Sequence, residues 1–239
     1  MTGSCIKWRW LIAVDLRLID LYGSRKMIAE SDNFRERQQN HVVFIHGLAA
    51  HRVLFVPMAW QIRKLGFSTS TFGYRSWLWS IEHHAKCFTG YLEKLESNSK
   101  IKNYHIVAHS MGGIVTRQAI LDRRFEKLKR IVMLGAPNHG SPVAKAITTV
   151  LPFLKTLRQI SNHSESFVNR LPQPQGPEIG IVAASYDFVI PEPNTHLATE
   201  SDHVSIFSGH NGLLIRPAAV KQIGEFLVNG QFLRASSTS

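Results

Sequence analysis

Six short apolar runs of strand length punctuate the chain, at residues 41–45, 67–72, 103–108, 130–134, 178–184 and 204–208. Between them the apolar spacing changes to that of amphipathic helices, over residues 55–65, 80–95, 111–125 and 217–228. A strand buried on both faces reads as a continuous apolar run, because neither face meets water, and helices are what cover two faces at once. The pattern predicts an α/β fold: a mostly parallel central sheet of about six strands with helices on both faces. Ligands of such sheets bind at the carboxyl ends of the strands, so the residues just after each run carry the chemistry.

Residues 141–177 form the one long insertion. Ser141 and Pro142 make a helix start, and Val143, Ile147, Leu151, Leu154 and Leu157 recur at helical spacing, with Pro152 placed to kink or split the helix. A helix pair over the strand ends would form a short helical lid; the alternative is an ordinary packing helix of the sheet. Residues 1–40 stand apart from this pattern. As a helix, residues 5–22 gather Trp10, Leu11, Val14, Leu18 and Leu21 on one face, with Arg9, Ala13 and Asp20 opposite. That segment is expected to dock on the domain or a partner, or else to lie in a membrane interface, and the polar residues 30–40 read as its linker. Charges interrupt the segment long before the about 20 apolar residues that cross a bilayer. Its clean run from Trp10 to Val14 is shorter than the roughly 7–15 residues of a signal peptide. The expected organisation is an N-terminal segment and linker, 1–40, followed by one domain, 41–239, in a cytoplasmic protein peripheral to membranes at most.

Composition narrows the classes. With 239 residues, 44% of them hydrophobic, the chain fills one sizeable core and is too apolar for a disordered protein. Cys5 and Cys87 match no zinc or disulfide spacing. The net charge of +11 raises nucleic acid or anionic membrane as partners. The charge is diffuse, and its densest run (Arg117, Arg123, Arg124, Lys127, Lys129, Arg130) reads as the solvated end of a helix and a turn. Nucleic acid is not expected; the basic surface is compatible with peripheral contact with anionic lipid.

The run 103–108 ends in Ala108, His109, Ser110, Met111, Gly112 and Gly113, after which helical spacing begins at once. A serine on such a strand-to-helix turn is held out of the sheet, and its flanking residues must be small because strand and helix nearly touch. The helix start also aims free backbone N–H groups at any oxyanion forming there. The first run ends in His46, Gly47 and Leu48, so the amides of Leu48 and Met111 are the expected oxyanion donors.

With HG at Gly47, AHSMGG around Ser110, LGAPNHGS at 134–141, YDFVIP at 186–191 and GHNGLL around His210, the chain resembles the α/β-hydrolase superfamily, and within it small bacterial lipases and esterases. The resemblance covers roughly residues 41–232 and implies Ser110 as nucleophile, Asp187 as triad acid and His210 as base. Independently of it, Asp187 and His210 both follow strands at one edge of the sheet. Glu192 and Asp202 are alternative acids and His203 a rival base, expected at the opposite end of the final strand. His46 and His109 read as packing residues, His83 and His84 as helix surface, and His41, His46 and His51 lack a zinc-binding spacing. Residues 137–140 read as a structural turn or a catalytic rim; Phe72, Tyr74, Trp77 and Trp79 as acyl pocket or core. The resemblance implies a serine hydrolase of lipophilic carboxylic esters that needs no metal or organic cofactor. Acyl transfer or thioester cleavage by the same triad, and a non-catalytic binding protein that keeps the fold, are the alternatives.

Overall fold

The structure is a computed structural model that describes residues 39–151 and 153–234. The expected N-terminal helix and linker up to residue 38, Cys5 and Pro152 lie outside the described residues.

Six strands form one sheet: β1 (Asn40–Ile45), β2 (Ser68–Phe72), β3 (Asn103–His109), β4 (Leu128–Leu134), β5 (Glu178–Ala184) and β6 (Asp202–Ile206). All neighbours pair in parallel, in the order β2-β1-β3-β4-β5-β6. The helices are α1 (Val56–Lys64), α2 (Ile81–Glu96), α3 (Met111–Ala119), α4 (Pro142–Val150), α5 (Lys155–Gln159), α6 (Phe167–Arg170) and α7 (Pro217–Asn229). Alternation along the strands sorts the core into two layers. Val43, Ile45, Ile106, Ile131 and Ile181 pack with Ala85 and Phe88 of α2 and Ile114 of α3. Val42, Phe44, Val107, Val132 and Val182 pack with Met58 and Ile62 of α1 and Ile223 and Phe226 of α7. Continuous apolar strands are what this two-sided covering demands.

The chain leaves β1 for β2 in one direction and then adds β3 to β6 in the other. Neighbouring strands β1 and β3 therefore send their following loops to opposite sides, which opens a crevice at their carboxyl ends. Gly47 follows β1 at that point and Ser110 follows β3.

Two expectations need correction. The helix expected over 111–125 stops at Ala119. Ile120 closes it with a tightened turn, its amide shared by the carbonyls of Thr116 and Gln118, and Phe125 is buried from the turn that follows. Apolar spacing was preserved there without a helix. The final strand begins two residues early, so His203 lies inside β6, paired with Ile181, rather than before it. The strand expected over 67–72 forms as β2, and its polar sequence Ser-Thr-Ser-Thr-Phe suits a sheet edge, where the His41 ring bonds the hydroxyls of Ser68 and Ser70 at 2.8 and 2.6 Å. The insertion does divide, into α4 and α5, and the Ser141 hydroxyl caps α4 by accepting from the Ala144 amide at 3.1 Å. No helix among the described residues is long and apolar enough to cross a membrane.

Candidate active site

Ser110 stands between the last residue of β3 and the first of α3, at φ +54° and ψ −129°. A side chain rarely tolerates this conformation. Two bonds hold it: the Ser110 amide donates to the Leu134 carbonyl at 2.8 Å, and the Gly113 amide to the Ser110 carbonyl at 2.9 Å. The smallness expected at Gly112 is demanded by the strand beside it, since a Cβ there would stand 2.7 Å from the Ile45 carbonyl oxygen. The residue is nearly buried, and its hydroxyl bonds no group among the described residues.

Asp187 lies three residues past β5 and His210 four past β6, and the structure brings them together. His210 Nδ1 donates to Asp187 Oδ2 at 2.6 Å. The other carboxylate oxygen accepts the amides of Val189 and Ile190 at 2.9 and 2.8 Å, which fixes the acid on its turn. The pair rests on Gly135, whose φ is +53°, and a Cβ there would meet His210 Nδ1 at 3.2 Å and Asp187 Oδ2 at 3.3 Å. Gly135 directly follows the carbonyl that holds the Ser110 amide, so the hydroxyl and the imidazole–carboxylate pair border one turn. His109 closes the arrangement from the other side. Its ring centroid lies 4.9 Å from that of His210, and its Nε2 is 3.4 Å from the His210 carbonyl oxygen. Burial holds the His109 imidazole down to about 3, so it stays neutral.

Gly47 lies against the serine; a Cβ on it would stand 2.7 Å from that of Ser110. The next amide, Leu48, and the first amide of α3, Met111, have no hydrogen-bond partner among the described residues. The loop that carries Leu48 is tied down by groups that no sequence motif announced. The Tyr74 hydroxyl donates to the His46 carbonyl at 2.7 Å, the two rings stack at 4.5 Å, and the Ala49 amide donates to the Ser76 hydroxyl at 2.9 Å. Burial is the first cause of the lowered pKa of His46, and it pushes the Tyr74 phenol well above its usual range.

Of the alternatives, Glu192 accepts from the Ser205 hydroxyl, Asp202 pairs with Arg234, and His203 meets Thr195 and stacks on His196. His84 is buried, against the surface expected for it. Phe72 and Tyr74 pack on the core, whereas Trp77 and Trp79 are exposed. Residues 137–140 include a structural tie: the Asn138 side chain donates to the Thr195 carbonyl at 2.7 Å and accepts from Arg117. Arg117 itself is buried, not on the solvated helix end expected of it. A cleft of about 1170 Å³ opens elsewhere, lined by Asn40, Asn103 and Glu178 at the amino ends of the strands, away from this chemistry.

Residues 76–207 match the family model described as a PGAP1-like alpha/beta domain, a span that includes Ser110 and Asp187 but not Leu48 or His210. No curated protein sequence matches the chain significantly. Among solved structures, the propeptide form of a Bacillus licheniformis lipase is similar at a TM-score of 0.67 and 16% identity, over 83% of this chain and 51% of that one. The mature form is similar at 0.61 and 14%, over 78% of this chain and 89% of that one. A monoacylglycerol lipase of Paleococcus ferrophilus is similar at 0.55 and 14%, over 80% and 93%. Likeness at these identities is likeness of fold, and the fold is that of the α/β-hydrolase superfamily.

Proposed function

Because this chain belongs to the family of PGAP1-like alpha/beta domains, we propose that it is a serine hydrolase of carboxylic esters, working through an acyl-enzyme. The observation that carries the reading is the Asp187–His210 pair, bonded at 2.6 Å and seated on the turn that holds the Ser110 amide. His210 takes the proton of Ser110 as the hydroxyl attacks the ester carbonyl; Asp187 keeps the imidazole in the required tautomer and stabilises its charged form. The amides of Leu48 and Met111 receive the oxyanion. His210 then protonates the departing alcohol, and water repeats the sequence on the acyl-enzyme.

Lipophilic acyl groups are favoured by the exposed apolar residues on loops that follow the strand ends: Trp77, Trp79, Tyr186, Phe188 and Phe207. The insertion adds Val150 and Phe153 and serves in this reading as the lid. The lipases of like fold support the same substrate class. Exposed apolar residues together with a net charge of +11 also favour visits to anionic lipid surfaces.

Wild type is expected to react with a fluorophosphonate probe and to hydrolyse p-nitrophenyl esters. Ser110→Ala should lose both, and His210→Ala should lose roughly 10⁴- to 10⁶-fold in turnover because such residues act as a unit. His203→Ala should retain turnover. Labelling of Ser110→Ala equal to wild type, or an active His210→Ala beside an inactive His203→Ala, would overturn the assignment.

A further inference from the structure

His203, the rival base, keeps other company in the structure. His196 and His203 stack face to face, with centroids 4.0 Å apart and planes 15° apart. With Glu192 they present one ligand atom each, all within 4.8 Å of one another. We propose that Glu192, His196 and His203 bind a zinc ion that pins the segment after β5 to the edge strand β6. The proposal does not depend on the ester-hydrolase reading.

Three features support it. Glu200 Oε1 accepts from His196 Nδ1 at 2.8 Å. That bond fixes the tautomer with a free lone pair on Nε2, as outer carboxylates do for metal-bound histidines. The Ser205 hydroxyl likewise orients Glu192 through one carboxylate oxygen at 2.9 Å and leaves the other available. Finally, Glu192 and Glu200 set two carboxylates against the pair of imidazoles, while Asp202 is engaged by Arg234. All three ligating residues are half-buried, so an ion reaches them from solvent.

Two imidazoles and one carboxylate suit zinc rather than calcium or magnesium, with water in the fourth position. Tetrahedral zinc at about 2.0–2.1 Å from nitrogen sets its ligand atoms roughly 3.3–3.5 Å apart. The ligand atoms must therefore close in by up to about 1.4 Å and the two rings turn out of their stack so that both lone pairs meet the ion, and the Thr195 hydroxyl, 3.3 Å from His203 Nε2, is the group that yields. The ion's role is structural. Residues 192–196 also brace the turn after β4: the His139 amide donates to the Asn194 carbonyl at 2.9 Å, and the Asn194 side chain to the Gly140 carbonyl at 2.7 Å. Fixing them to β6 would stiffen the segment that begins just past Asp187.

The test titrates zinc chloride into chelator-stripped full-length protein by calorimetry, with thermal unfolding alongside. Wild type and Ser110→Ala should each bind one zinc more than the His196→Gln/His203→Gln double variant and unfold at higher temperature when loaded. Glu200→Gln should bind that zinc about 10- to 100-fold more weakly. Equal zinc binding by wild type and the double variant overturns the proposal. Should the double variant fail to fold, the visible spectrum of cobalt-loaded wild type decides. Tetrahedral bands weakened by Glu200→Gln support the site, and an octahedral spectrum indifferent to that change overturns it.

Discussion

Ser110 carries a backbone cost, which the proposed role as nucleophile would account for. A non-glycine residue at φ +54° costs on the order of 1–3 kcal/mol. Replacing it with glycine removes that strain, offset by about 0.5–1 kcal/mol from the freer unfolded chain. Ser110→Gly should therefore be more stable than wild type by about 1 kcal/mol in urea unfolding, whereas Ser110→Ala, which keeps its Cβ, should change little. Equal stability of the glycine and alanine variants would show the turn to be unstrained. This turn was legible in the sequence because its determinants are adjacent: a strand, a serine and two glycines in six residues. The company of His109 was not, since its contact with the His210 carbonyl joins residues 101 apart. Neither was the use of Gly135 as the seat of the Asp187–His210 pair; the sequence marks it only as a glycine after a strand.

At the scale of elements, strands were easier to read than helix ends. Both faces of each central strand are dry, so composition alone marks them, whereas α3 stops where its apolar spacing goes on. Arg117, on the last turn of α3, shows why charge patterns mislead. Its guanidinium is buried and bonds no carboxylate, and burial pulls its pKa down to about 10. It donates to the Asn138 side chain and carbonyl at 3.2 and 3.3 Å, and to the carbonyls of Leu171 and Pro172 at 2.9 and 3.3 Å. One side chain thus ties the helix after Ser110 to the turn after β4 and to the end of the insertion. Arg117→Met keeps the apolar stem but strands those acceptors, and should cost about 2–4 kcal/mol in urea unfolding. Arg117→Lys should recover only part, because an ammonium cannot fork to several carbonyls at once. Full stability in both variants would mean that water satisfies the acceptors and that the tie is dispensable. The lid reading rests at this scale too: α5 is anchored to the start of α2 through the Gln159 side chain, which accepts from the Ile81 amide at 2.9 Å, whereas α4 leaves Val143 and Ile147 partly exposed.

For the whole molecule, the two-layered core and the carboxyl-end location of the site follow from the run pattern, while the strand order does not. Nothing local tells β3 to pair with β1 on the side away from β2. Nor does residue type tell where the histidines go. His41, His46, His84, His105 and His109 are all buried, and burial is the first cause holding each below its usual pKa. The consequence is a collective response to acid. His105 and His109 are held down to about 3, against 6.5 in a free imidazole. Between those values the unfolded chain binds protons that the native chain refuses. Their contribution to stability is thus complete above pH 6.5 and lost as pH falls towards 3, with a slope in mid-window of about 1.4 kcal/mol per pH unit for each histidine. His105 isolates the effect, because it lies on β3 with its ring edge-on to Phe67 at 5.7 Å and takes no part in the candidate site. Urea unfolding of wild type should lose stability steeply from pH 7.5 to pH 5, and His105→Gln should lose it more gently, by one histidine's share of the slope. Parallel lines for the two proteins across that window would mean that His105 takes up its proton in the native fold, and that the acid sensitivity belongs to other groups.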